Sequence, residues 1–116
     1  HRLTHDEIWH FYGGDPIRLV LLHPDGSSED AWLGPDAAAG QHVQLVIPSG
    51  VWQAGHVADE GTWALFGCTM APGFTPACFE GGLVSDLQRS HPTRAADIDR
   101  LDIPDGDGIE MPEGAG

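Results

Sequence analysis

Within the first twelve residues stand His1, His5 and His10, one glutamate, Glu7, and the aromatic residues Trp9, Phe11 and Tyr12. Imidazoles and carboxylates move protons and bind metals, and aromatic faces stack on sugars and nucleobases. Strand side chains alternate between faces, so from Glu7 to Tyr12 one face carries Glu7, Trp9 and Phe11 and the other Ile8, His10 and Tyr12. If the first face is the interior, Glu7 is a carboxylate among aromatic rings and must be paired, protonated or bound to a metal. Further along, Val51 and Gln53 share a face in VWQAGHVA, with Trp52 and Ala54 opposite. Trp9, Phe11, Val51 and Gln53 would together line an apolar cavity with a few polar anchors, the composition of a small-molecule pocket.

These residues need strands to hold them. IRLVLL, a Pro-Asp-Gly turn and EDAWLG predict a hairpin over residues 17 to 34. PDAAAG, Pro35 to Gly40, is a loop too short for an independent helix. Gln41 to Pro48 reads as a strand that must end or lie at an edge at Pro48, which cannot donate a ladder hydrogen bond. Pro48-Ser49-Gly50 turns it into a strand over Val51 to Ala58. TWALFGCTM, Thr62 to Met70, is the most apolar strand, and Cys68 within it reads as core filler. Phe74 and Phe79 read as plugs over one end of the sheet. After Pro92, Ala95, Ile98 and Leu101 at helical spacing predict one short helix capped by Thr93. The chain is one domain over residues 1 to 101, and residues 102 to 116, acidic and broken by Pro and Gly, predict a disordered tail.

The opening stretch resembles the first motif of the cupin superfamily of small β-barrels: His, any residue, His, three or four residues, Glu, six residues, Gly. Glu7 followed by six residues and Gly14 fits it; His1 stands at the first histidine and Leu3 at the second. PSGVWQ, Pro48 to Gln53, resembles the second motif, Pro-x-Gly-x-x-His, with Gln53 at the metal-binding histidine. HR, DEIWHFYGGDP, VIPSGVWQAG and CTMAPGF with a following FE are similar to a small single-domain cupin subfamily of mostly unassigned function (DUF985-like). That subfamily is similar to the epimerases acting on dTDP-4-keto-6-deoxyglucose.

The resemblance implies an all-β, cupin-type (RmlC-like) double-sheet jelly-roll barrel with a short C-terminal helix, preceded by about two further strands. It also implies a homodimer, a cytoplasmic location, and a sugar or nucleotide-sugar-like ligand in the barrel mouth. On the model of the epimerases, His1 and Glu7 would form a metal-independent proton-abstracting pair, with His10 and Tyr12 as the lesser alternative. Ligand contacts would fall to Trp9, Phe11, Val51 and Gln53. With two of four ligand positions replaced, no metal cofactor is favoured; a transition metal would be held weakly by His1, Glu7 and Gln53, with His5 as a substitute. A non-catalytic ligand-binding cupin and a metal-dependent oxygenase are the alternatives.

Five basic residues against eighteen acidic ones give a net charge of -13, which argues against nucleic acid and anionic membrane as partners. No run of 18 apolar residues and no leader pattern is visible. Cys68 and Cys78 lack C-x-x-C spacing and read as free thiols.

Overall fold

The computed structural model describes residues 1–102, so the predicted acidic tail, Asp102 apart, lies outside the described residues. Eight strands are present: β1 Arg2–Leu3, β2 Glu7–Gly14, β3 Ile17–Leu22, β4 Ser28–Leu33, β5 Gln44–Ile47, β6 Trp52–Val57, β7 Ala64–Met70 and β8 Phe79–Glu80. Two helices follow, α1 Val84–Ser90 and α2 Ala95–Arg100. All strand pairs are antiparallel and form sheets ordered β5-β2-β7, β4-β3-β6 and β1-β8.

The two three-stranded sheets enclose one core. Trp9, Ile47 and Val51 pack there against Ile17, Leu19, Leu21 and Leu33. Strand β3 shows why its sequence lacks alternation: Ile17, Leu19 and Leu21 enter this core, while Val20 and Leu22 are buried on the other face with Ile98 of α2. A strand covered on both faces reads as an apolar run. Its one polar residue, Arg18, reaches Asp30 of β4 and Asp97 of α2 and so fastens the helix to the sheet.

On one side the sheets are joined by the Leu33–His42 bridge between the end of β4 and the segment before β5. On the other side β6 is flanked by the chain start, whereas β7 pairs with β2 alone among the described residues. The described residues thus form an antiparallel double sheet with a short C-terminal helical region, and no closed barrel is formed among them. The hairpin over 17 to 34 is present as β3 and β4.

One predicted helix is two. Prolines and glycines hide α1 in the sequence, yet Val84 and Leu87, one turn apart, pack it beside Val20 and Leu22. Thr93 does not cap α2. It sits in a 3-10 turn, Pro92–Arg94, and α2 begins after Arg94 without a side-chain cap. Buried His91 anchors this region, its Nε2 donating to the His23 carbonyl at 2.8 Å, with Ser90 Oγ 2.8 Å from its Nδ1. Both cysteines are free, but Cys68 is exposed, contrary to its reading as core filler; it lies on the open β7 margin.

A bulge between Phe11 and Gly13 ends the strict alternation of β2. Gly14 follows with φ 90°, and a Cβ there would collide with the Trp63 carbonyl oxygen, which accounts for glycine at that motif position. Asp15 then accepts hydrogen bonds from the Thr62 and Trp63 amides, which hold its carboxyl below the usual range and pin the turn to the start of β7.

Candidate functional site

Strand β2 runs through the middle of its sheet, so its inward residues face β3 and β6 across the core. Glu7 (9% exposed) and Trp9 are inward and buried, as is Gln53 (3% exposed) on β6. Trp9 Nε1–H donates to Glu7 Oε1 at 3.0 Å and to Gln53 Oε1 at 2.9 Å. One indole N–H thus bridges the two sheets and satisfies an oxygen on each. Among the described residues, the only buried side-chain nitrogen or oxygen without a partner is His56 Nε2. The second oxygen of Glu7 and the amide nitrogen of Gln53 make no hydrogen bond to a described residue.

His1 joins them through the backbone. Its carbonyl accepts from the Gln53 N–H at 2.8 Å, and its amino group donates to the Gln53 carbonyl at 3.2 Å. Residues exchanging both bonds in an antiparallel pair project to the same face, so the His1 and Gln53 side chains point inward together. The alternate residue, Arg2, lies on the other side, 4.5 Å over the Trp52 ring and paired with Glu80. The His1 imidazole stacks on Phe79 at 5.0 Å rather than pairing with Glu7. Phe74 meets Phe79 edge-on at 6.4 Å, so these two rings gather at one end of the site, where plugs were expected.

Strand β7 supplies the remaining wall. Phe66 stacks on Trp9 with centroids 4.7 Å apart, and Cys68 is the cross-strand partner of Trp9. The Cys68 thiol is pushed up to about 12, first by desolvation against the sheet and then by the Glu7 carboxylate, so it stays protonated at neutral pH. Phe66 and Cys68 were not singled out from the sequence as site residues. Their signal was their register, since residues opposite Phe11 and Trp9 share the face of Glu7.

Other expected residues fall differently. Val51 is part of the sealed core, and Phe11 packs against that core half-buried. His10 and Tyr12 occupy the outer face with their rings stacked, the His10 Nε2 2.8 Å from Thr69 Oγ1. Tyr12, the only tyrosine, is 65% exposed and faces away from Glu7. His5 lies in the bend between β1 and β2. A metal at the site would have His1, Glu7 and Gln53 as donors, and Gln53 Oε1 is already engaged by Trp9. Among the described residues no group of three His, Cys, Asp or Glu is placed to hold a metal ion.

Behind β6, between the sheet and the helices, lies a cavity of about 110 Å³, partly open to solvent. Val20, Leu22, Trp52, Leu87 and Ile98 give it a mostly apolar wall, to which His1 and Gln53 also contribute.

An antiparallel double sheet with inward Glu and Gln at its open margin defines a β protein of the cupin kind. The family model for the cupin superfamily (DUF985) matches residues 1–81, and the chain belongs to that family. Among solved structures, it is similar to a Shewanella oneidensis protein at 34% identity, with a TM-score of 0.81 over 90% of this chain and 65% of that one. It is also similar to a hypothetical protein from Leishmania major at 25% identity, with a TM-score of 0.77 over 86% of this chain and 65% of that one. The chain thus spans slightly less than two thirds of the length of each. No curated protein matches it. Among the described residues no helix is long and apolar enough to cross a membrane.

Proposed function

We propose that the open margin beside Glu7, Trp9 and Gln53 is a small-molecule site for a sugar or nucleotide-sugar-like ligand, acting as a metal-independent isomerase or epimerase. The observation that carries the reading is the shared Trp9 N–H, which fixes one oxygen of buried Glu7 and one of buried Gln53 between the two sheets. Polar groups held on an inward face cost stability unless they are satisfied or used. An acceptor beside a donor matches a pair of sugar hydroxyls, and the Phe66 ring next to them offers a stacking face. For catalysis, the free Glu7 oxygen takes the proton from a carbon next to a carbonyl, and the Gln53 N–H group donates to the oxygen on which negative charge develops. His1, on the same inward face, delivers a proton taken from solvent to the carbon, and Glu7 gives the abstracted proton up to solvent, so the net change is the epimerised carbon with one solvent proton exchanged.

A passive binding role is the second reading, favoured by the outward position of Tyr12, since the related epimerases use an inward tyrosine as the acid. Calorimetric titration with dTDP-linked 4-keto sugars, followed by proton exchange in heavy water, separates the two. The enzyme reading expects binding, with solvent deuterium entering the carbon next to the carbonyl, and Glu7→Gln abolishing exchange while the ligand still binds. Binding without exchange selects the passive role. A chain that binds no sugar or sugar nucleotide, or a Glu7→Gln variant indistinguishable from the parent, refutes both.

A further inference from the structure

The turn Pro48-Ser49-Gly50 carries the chain from one three-stranded sheet to the other. Its first limb, β5, ends at buried Ile47, the cross-strand partner of Glu7. Its second limb, β6, brings Gln53 to the Trp9 N–H. Within the turn the Val51 N–H donates to the Pro48 carbonyl at 3.2 Å, and Gly50 takes φ 81°, a left-handed conformation that glycine adopts without strain. The two middle amides go to the segment that leads into β2. Ser49 N–H donates to Asp6 Oδ1 at 2.8 Å, and Gly50 N–H donates to the Leu3 carbonyl at 2.9 Å. Of these two acceptors only Asp6 is a side chain, and it directly precedes Glu7. Asp6 is exposed and Glu7 buried, so one dipeptide grips the turn from outside and presents a carboxylate to Trp9 inside.

We infer that Asp6 is a positioning residue of the Glu7–Trp9–Gln53 arrangement, its hydrogen bond to the turn setting Gln53 against Glu7. The Trp9 N–H reaches the two oxygens, at 3.0 and 2.9 Å, only while the sheets keep their spacing, and hydrogen bonds weaken steeply as distance and angle depart from the optimum. The Asp6 bond ties the start of the Glu7 strand to the turn that opens the Gln53 strand, and an ionised acceptor makes that tie stronger than a neutral one. Asp6 acts through Gln53 and not on a ligand, so the inference stands whether or not the site binds a sugar.

Hydrogen exchange followed by nuclear magnetic resonance on the full 116-residue chain tests it. The Trp9 indole signal is the one that Trp9→Phe removes. In Asp6→Ala it exchanges about tenfold faster relative to the backbone amides of β3, the effect of losing one charge-assisted hydrogen bond. Asp6→Asn keeps an acceptor oxygen and brings the rate most of the way back to that of the parent. Asp15→Ala removes the same kind of bond at the other end of β2 and leaves the Trp9 rate unchanged relative to β3. If Asp6→Ala does not fold by circular dichroism, Asp6→Glu, which displaces the carboxylate by one methylene, takes its place with the same expectation. A Trp9 rate unchanged by loss of the Asp6 bond overturns the inference, as does an acceleration shared equally by the β3 amides or reproduced by Asp15→Ala.

Discussion

Replacing Trp9 by phenylalanine removes one N–H and leaves two buried oxygens, Glu7 Oε1 and Gln53 Oε1, without a donor. Each orphaned acceptor costs about 1–3 kcal/mol, at the upper end for the charged one. The smaller ring also gives up part of the stack on Phe66, worth about 0.5–1 kcal/mol. Partial rehydration through the open margin offsets some of this, so the expected loss is about 3 kcal/mol. Glu7→Gln is the control. It keeps an acceptor oxygen within reach of the indole and removes only the charge, so its cost stays below about 1 kcal/mol. Urea unfolding followed by far-ultraviolet circular dichroism measures both, and a slope of about 1–2 kcal/mol per molar predicts a midpoint lowered by about 2 M for Trp9→Phe. The two changes share a hydrogen bond and therefore do not add. In the Glu7→Gln background, Trp9→Phe should cost about 1 kcal/mol less than alone. A Trp9→Phe loss no larger than that of Glu7→Gln, or strict additivity of the two, would refute the claim that one N–H holds both sheets' polar groups.

The ion-pair network of α2 makes stability depend on acid. Asp97 is held below the usual carboxylate range, first by Arg18 and then by Arg94, so its contribution is present above the unfolded-state value and lost as pH falls through the folded one. Asp97→Asn should be less stable than the parent at pH 7, with the gap closing between about pH 5 and pH 2; a gap that stays constant across that range counts against this linkage. At Cys68, the protonated thiol should be alkylated by iodoacetamide at pH 8 on the order of a hundredfold more slowly than an unstructured cysteine, with Glu7→Gln speeding it. Peptide mapping distinguishes it from Cys78, and a Cys68 rate equal to that of an unstructured thiol would contradict the effect of the sheet and Glu7.

Much of the fold was legible because local rules produced it. The hairpin of β3 and β4 follows from two strand-like runs around a Pro-Asp-Gly turn, and the alternation of β2 correctly separated Glu7 and Trp9 from His10 and Tyr12. Helix α1 was not legible, because its two apolar contacts, Val84 and Leu87, gain meaning only against Val20 and Leu22 about sixty residues earlier. Cys68 was misplaced for a related reason. An apolar strand signals burial, yet burial requires a neighbour, and among the described residues β7 has one on a single edge.

The sequence by itself determined which residue types lie on the inward face and which motif they belong to, since both follow from period and spacing along one strand. It could not determine what those residues touch. The link from Trp9 to Gln53 joins positions 44 residues apart across two sheets, and only their packing at about 10 Å separation brings a single N–H within reach of the Glu7 and Gln53 oxygens. The tertiary structure also decided that His1 stacks on Phe79 instead of pairing with Glu7, and that Phe66 and Cys68 complete the wall. Cross-strand register fixes such contacts, and register is a property of two strands together, written in neither one alone.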